Sequence, residues 1–153
     1  MRRKEKEIAD TAGIEAVLMK ARICRLGLID GDVAYIVPLN FGYRDRSLYF
    51  HTAREGKKID LLRKRGRVSF EVEADVEIIE SKAACGWGTR FRCVMGTGRA
   101  EILEDGADRE AGLRVLMDHH SPGTEWDFQD ASLDKVAVIR LTIEEMSGKK
   151  SGY

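Results

Sequence analysis

Ile23-Cys24-Arg25-Leu26-Gly27-Leu28-Ile29-Asp30-Gly31-Asp32-Val33-Ala34-Tyr35-Ile36-Val37-Pro38-Leu39-Asn40-Phe41 has the pattern of a β-hairpin. Ile23 to Ile29 runs into Asp30-Gly31-Asp32, a turn signal, because Asp-Gly tolerates the positive φ values that tight hairpins demand. From Val33 onward, Val33, Tyr35, Val37, Leu39 and Phe41 alternate onto one face, the period of a half-buried strand. Pro38 interrupts the opposite face. Without an N–H for the ladder it belongs at an edge, or beside something other than a strand. Two surroundings fit it, an ordinary solvated edge or a bound flat ring. Asn40 shares its face and offers both a donor and an acceptor.

Outward from the hairpin, more strands follow. Upstream, Asp10 or Thr11 caps a helix whose buried stripe is Ile14, Val17, Leu18 and Ala21. Downstream, a turn at Arg44–Arg46 leads to the strand Ser47–Thr52, and a helix from Gly56 to Arg65 carries Ile59, Leu61 and Leu62. Val68, Phe70 and Val72 alternate along a strand from Arg67 to Glu73. After a polar stretch, Glu80 to Gly88, a long strand runs from Arg90 to Leu103, with Gly96 and Gly98 marking a bulge or bend. A third helix begins at Asp108 with Leu113, Leu116, Met117 and His120 at helical spacing. Val136 to Ile143 is the last strand. About six strands and three helices joined by hairpin-length connections predict a mainly β, α+β fold: an antiparallel barrel with flanking helices, in one domain over residues 1–153.

Composition excludes several classes. The 26 basic and 26 acidic residues cancel to a net charge of zero, so broad binding to nucleic acid or an anionic membrane is not expected. The N-terminal MRRKEKEIAD is charged where a signal peptide needs an apolar run. No apolar stretch approaches the roughly 18 residues of a membrane span, so a cytoplasmic protein is expected. Cys24, Cys85 and Cys93 lack C-x-x-C spacing and suit small core residues, with Cys85 the most reactive. His119 and His120 point about 100° apart on a helix and have no spaced partner, so no metal site is predicted. No dinucleotide fingerprint or P-loop occurs in a strand-to-helix turn.

The informative stretch for function is Leu48-Tyr49-Phe50-His51-Thr52-Ala53-Arg54-Glu55-Gly56-Lys57-Lys58, from a strand end into a helix start. Lys57 and Lys58 fall in the first helical turn, where a cation meets the positive end of the helix dipole at a cost of up to about 1 kcal/mol. Free N–H groups at the same end attract an anion. A phosphate there explains the lysines. A solvated basic face, continued by Arg63, Lys64 and Arg65, explains them equally well.

Phe50 to Lys58 resembles the F-F-T-N-x-x-S-R-K segment of pyridoxamine 5′-phosphate oxidase-like flavoproteins. Tyr35-Ile36-Val37-Pro38-Leu39-Asn40-Phe41-Gly42-Tyr43 is similar to the Y-x-V-P-x-N-F-x-Y strand of their nitroimidazole-resistance branch, and Leu48-Tyr49-Phe50-His51 with Gly56-Lys57-Lys58 to its L-Y-F-H…G-x-K element. Gly86-Trp87 and Val94-Met95-Gly96-Thr97-Gly98 resemble its later tryptophan and V-x-G-x-G strand. The match spans Ile8 to Gly148. It implies a six-stranded split β-barrel that forms a homodimer with FMN between subunits. It further implies that Val37, Pro38, Leu39 and Asn40 line the isoalloxazine, that His51 and Thr52 flank the ribityl-phosphate arm, and that Lys57 and Lys58 bind phosphate. Phe91 stands where the oxidases place a flavin-contacting glutamine, and EEMSGKKSGY lacks their substrate-binding Trp and Arg. Both departures argue against oxidation of pyridoxamine phosphate itself.

The implied activity is an FMN-dependent oxidoreductase that reduces a small nitro-aromatic such as a 5-nitroimidazole. The other class is a protein that holds flavin or a small anion without turnover. His51 is the catalytic candidate, since imidazole delivers protons near neutrality. The plainer role for it is a structural hydrogen bond. Trp87 and Trp126 are flat enough to cover a flavin, and packing in a core or interface also accounts for them.

Overall fold

The computed structural model describes residues 4–129 and 133–153. A two-residue strand β1 (Glu7–Ile8) and helix α1 (Thr11–Lys20) precede the expected hairpin, β2 (Ile23–Asp30) and β3 (Val33–Asn40). Then come β4 (Gly42–Arg44), β5 (Ser47–Ala53), α2 (Lys57–Lys64), β6 (Arg67–Ile79), β7 (Gly88–Leu103), α3 (Gly106–His120) and β8 (Val136–Ser151). The fold is α+β and mainly β. Its sheet has eight strands, two of which, β1 and β4, are only two and three residues long. The other six are the strands expected of the barrel.

The strand order is β3-β2-β6-β7-β8-β5-β4, with β1 added on β8, and every pairing is antiparallel. The two edge strands are consecutive in the chain: β3 ends at Asn40, β4 starts at Gly42, and only the fully buried Phe41 separates them. A sheet whose opposite edges are one residue apart has to roll up. β3 and β5 approach each other, yet no ladder joins them. The result is a split barrel.

Its core follows from the alternation. Leu26, Phe50, Val72, Val94, Ile139 and Leu141 point inward and are completely buried, and Leu18 of α1 closes one end. Each such side chain contributes roughly 1.5–3 kcal/mol on burial. Asp10 caps α1 by accepting from the Gly13 N–H at 2.6 Å, and Ile14, Val17, Leu18 and Ala21 are buried as the spacing predicts. The glycine bend is also present: the β7–β8 register slips between Thr97 and Gly98.

Four details depart from the sequence reading. β8 runs on to Ser151 rather than stopping at Ile143, because its outer half is laddered to β7 and β1. α3 starts at Gly106 under an Asp105 cap and buries Gly112, Val115, Leu116 and His119, a face rotated by about one residue from the expected one. Apolar periodicity placed Leu113 and Met117 inward, but tertiary packing chose the small Gly112 for the close approach to β5 and β8. β6 runs on to Ile79 rather than stopping at Glu73, because a bulge between Ala74 and Glu77 breaks its alternation without ending it. The turn at Asp45–Arg46 is a two-residue hairpin with both φ values positive, 49° and 56°, and it creates β4.

Candidate functional site

The chemistry-bearing residues gather along the split. On one side, edge strand β3 points Tyr35, Val37 and Leu39 inward and exposes Ile36, Pro38 and Asn40. Pro38 pairs in register with Arg25 on its only ladder neighbour, β2, so its missing N–H lies on an edge. On the other side, β5 buries Leu48 and Phe50, half-buries Thr52 and exposes His51. Beyond Tyr49 this strand has no partner on the β4 side, which leaves the edge at His51 open.

Three residues after β5, helix α2 begins. Gly56 is its N-cap with φ 113°, a value that favours glycine, and no side chain caps the free N–H groups. The two lysines there behave differently. Lys57 is exposed; its Nζ lies 2.5 Å from Asp30 Oδ2 and 4.9 Å from the centroid of the Tyr35 ring. The hydrogen bond to Asp30 raises its pKa. Lys58 is half buried and has no hydrogen bond or ion pair among the described residues. Burial pushes its pKa down. An ammonium drawn out of water without an anion is unfavourable, and a phosphate at this point relieves it.

A groove of about 700 Å³ opens on the outer face of the sheet and begins at the exposed side of β3. Register builds it: Arg25, Glu71, Met95 and Ser147 stand side by side on four strands and line it, with Ile36 of β3 at its rim, while Pro38 continues the same row without lining the groove. Its volume is in the range of small-molecule pockets. Ile36 and Met95 supply exposed apolar surface, and Arg25 forks to Glu71 at 3.1 Å and Glu73 at 2.8 Å. Desolvation raises the pKa of Glu71 despite Arg25. In the wall, Thr97 Oγ1 is buried with no hydrogen-bond partner among the described residues. The sequence reading missed Arg25, Glu71 and Thr97. The available signal was weak: polar residues at alternate positions of a strand also describe an ordinary solvated face.

Trp87 lies elsewhere. It sits at the tip of the β6–β7 hairpin, more than half exposed, its Nε1 donating to the Ser81 carbonyl at 2.7 Å. Ten register steps of β6 separate Ser69, in the groove, from Ile79 next to the tip, roughly 30 Å of strand. One chain therefore does not bring Trp87 to its own split. Trp126 is exposed, and its carbonyl accepts from Arg114 at 3.2 Å. Cys24 and Cys93 are buried and Cys85 is exposed, and no metal-binding cluster occurs among the described residues. No described helix is long and apolar enough to cross a membrane.

The fold has counterparts in known proteins. Residues 10–150 match the family model described as pyridoxamine 5′-phosphate oxidase. A candidate 5-nitroimidazole antibiotic resistance protein from Bacteroides thetaiotaomicron superposes with a TM-score of 0.83 at 28% identity, over 94% of this chain and 86% of that one. A FAD-binding protein from Mesorhizobium loti gives 0.67 at 25% identity, over 94% and 96%. The flavocytochrome of Azotobacter vinelandii gives 0.84 over 100% and 72%; at 23% identity it bears on the fold alone. No curated protein is similar enough in sequence to match the chain.

Proposed function

The chain belongs to the pyridoxamine 5′-phosphate oxidase family, and from that membership we propose that it is a flavoprotein that binds FMN along the split and reduces a small nitro-aromatic such as a 5-nitroimidazole. One observation carries the cofactor assignment: half-buried Lys58 has no anionic partner among the described residues and stands at the uncapped start of α2. A phosphate monoester meets both needs, charge for the lysine and acceptors for the free N–H groups. Thr52, half buried at the end of β5, adds a hydroxyl donor to the phosphate arm.

The ring belongs against the open edge of β3, meeting Pro38 and Asn40 through their exposed side chains and Val37 and Leu39, which point inward, through backbone. At Pro38 there is no N–H to leave unpaired when a flat ring covers the edge, and Asn40 offers an amide to the ring's polar rim. Bound flavin supplies the hydride chemistry. The protein binds and orients it, keeps the acceptor against it, and presents His51 as a proton donor at the open edge of β5.

Trp87 enters this site only from a second copy, because its own chain holds it some 30 Å along β6. The functional unit is accordingly a homodimer with a flavin at each split. Pyridoxamine 5′-phosphate is not the substrate of this reading. Phe91 carries Lys149 at 5.4 Å over its ring instead of offering an amide.

Adding FMN to the purified chain tests the proposal. Flavin absorbance is expected to co-elute with the protein at one per chain. The dithionite-reduced complex is expected to be reoxidised, without oxygen, by a 5-nitroimidazole. A chain that stays colourless in excess FMN overturns the reading. One observation favours a second, non-catalytic role: no hydrogen bond orients His51 among the described residues. A complex that holds flavin but is reoxidised no faster than free reduced flavin selects that alternative.

A further inference from the structure

Adjacent lysines that the sequence assigns one job are given two by the fold. Lys57 turns away from the helix start, to Asp30 at the end of β2 and to the face of Tyr35 on β3. Lys58, about 100° around the helix, is half buried and meets no carboxylate among the described residues. Resting on the phosphate assignment above, we propose that Lys58 is the lysine that holds the phosphate, and that Lys57 is a positioning residue that clamps the β2–β3 hairpin to the start of α2.

The hairpin needs such a clamp. Among the described residues β3 is laddered only to β2, and around the turn Ile29, Val33 and Ile36 are more than half exposed, so packing holds only the inward face of the hairpin, through Leu28, Tyr35, Val37 and Leu39. Pro38 and Asn40 ride on this same strand, with Pro38 only three residues from Tyr35. One ammonium that bonds Asp30 and stacks on Tyr35 fixes both arms of the hairpin relative to the phosphate site. It thereby sets the distance between the ring-facing strand and the anion-holding helix end.

Affinity for FMN and for riboflavin, which lacks the phosphate, separates the two roles in the full chain by fluorescence quenching. Lys58→Ala is expected to weaken FMN about tenfold or more while riboflavin changes little, since a charge-assisted contact is lost only where phosphate is present. Lys57→Ala and Asp30→Asn are each expected to weaken both flavins by the same factor, about two- to fivefold as for an exposed pair. The double variant should be no worse than either single change, and Lys57→Arg should restore affinity. If Lys57 were a phosphate ligand restrained by Asp30, freeing it in Asp30→Asn would tighten FMN selectively; that result overturns the proposal.

A second measurement needs no ligand. Amide exchange across residues 29–37 is expected to rise in Lys57→Ala and Asp30→Asn and to stay unchanged in Lys58→Ala. Unchanged exchange in the first two refutes the clamp whether or not flavin binds. A wild-type chain that binds neither flavin removes the phosphate assignment, and with it the role of Lys58, and leaves the exchange result to decide the clamp.

Discussion

Gly42 lies so close to Leu116 that a Cβ built on it would stand 2.6 Å from the Leu116 Cα and 2.5 Å from the Val115 carbonyl oxygen. Backbone, not a flexible side-chain end, occupies that space, so α3 packs directly onto β4. This contact pins the chain where it crosses from one sheet edge to the other, one residue after Phe41. Gly42→Ala is therefore expected to destabilise the protein by about 1–3 kcal/mol, the usual cost of overpacking. Urea unfolding measures it, and a change within error would show that α3 shifts freely.

His119 sets a pH limit on stability. It is buried, its Nε2 lies 2.8 Å from the Ala21 carbonyl, its ring packs 4.8 Å from Phe41, and Nδ1 has no hydrogen-bond partner among the described residues. Burial lowers its pKa, and the same holds for His120, whose Nε2 is 3.0 Å from the Phe41 carbonyl; nearby Arg22 pushes both in the same direction. A histidine with a depressed folded-state pKa takes up its proton more readily in the unfolded chain. Its contribution is complete above the ordinary value of about 6.5 and falls as pH drops below that toward the folded-state value. His119→Gln, which can still donate to Ala21, is expected to flatten the loss of stability between neutral and mildly acid pH. Parallel loss in both proteins would clear His119.

Asp75 holds the long hairpin to the rest of the molecule. Its carboxylate pairs with Lys20 from α1 and Arg92 from β7, and its carbonyl accepts from the Tyr153 hydroxyl at 2.8 Å. Arg92 in turn lies 3.9 Å from the centroid of the Tyr153 ring. The hydrogen bond from Lys20, followed by that from Arg92, lowers the Asp75 pKa. The stabilisation is present above the ordinary value of about 3.9 and is lost as pH falls through the depressed one. Asp75→Asn should lower the thermal midpoint at neutral pH, and the gap to wild type should close in strong acid.

These particulars show what a sequence can disclose. The hairpin from Ile23 to Phe41 was legible because Asp30-Gly31-Asp32 and strict alternation are local signals. Gly96 and Gly98 announced the β7 bend for the same reason. The turn around Arg44–Arg46 was legible, but the short strand β4 that its two positive φ values create was not, and neither was the bulge at Asp75, where a non-glycine residue inside a strand takes a positive φ. The inward face of α3 was misread because the choice between Gly112 and Leu113 depends on a neighbouring strand. The row of Pro38, Arg25, Glu71, Met95 and Ser147 was invisible, since it exists only once five strands have found their register. The lysine pair was visible, but its division between Asp30 and a half-buried position was not.

His51 offers the sharpest test of catalysis as distinct from flavin binding. It projects from the open edge of β5, opposite Val138 in register, and is solvent-exposed. An exposed side chain with no bond in the fold contributes little to stability, so His51→Ala should leave the urea midpoint nearly unchanged. In the proposed complex it would offer the ribityl arm one hydrogen bond at most, which limits the expected loss of FMN affinity to about tenfold. Reduction of a nitro group consumes protons as well as electrons, and a positioned general acid typically accelerates such a step by at least about a hundredfold. The expected pattern is a stable variant that still turns yellow with FMN but reduces a 5-nitroimidazole roughly a hundred times more slowly. Equal turnover in variant and wild type would mean that solvent supplies the proton, and that His51 has no part in the chemistry.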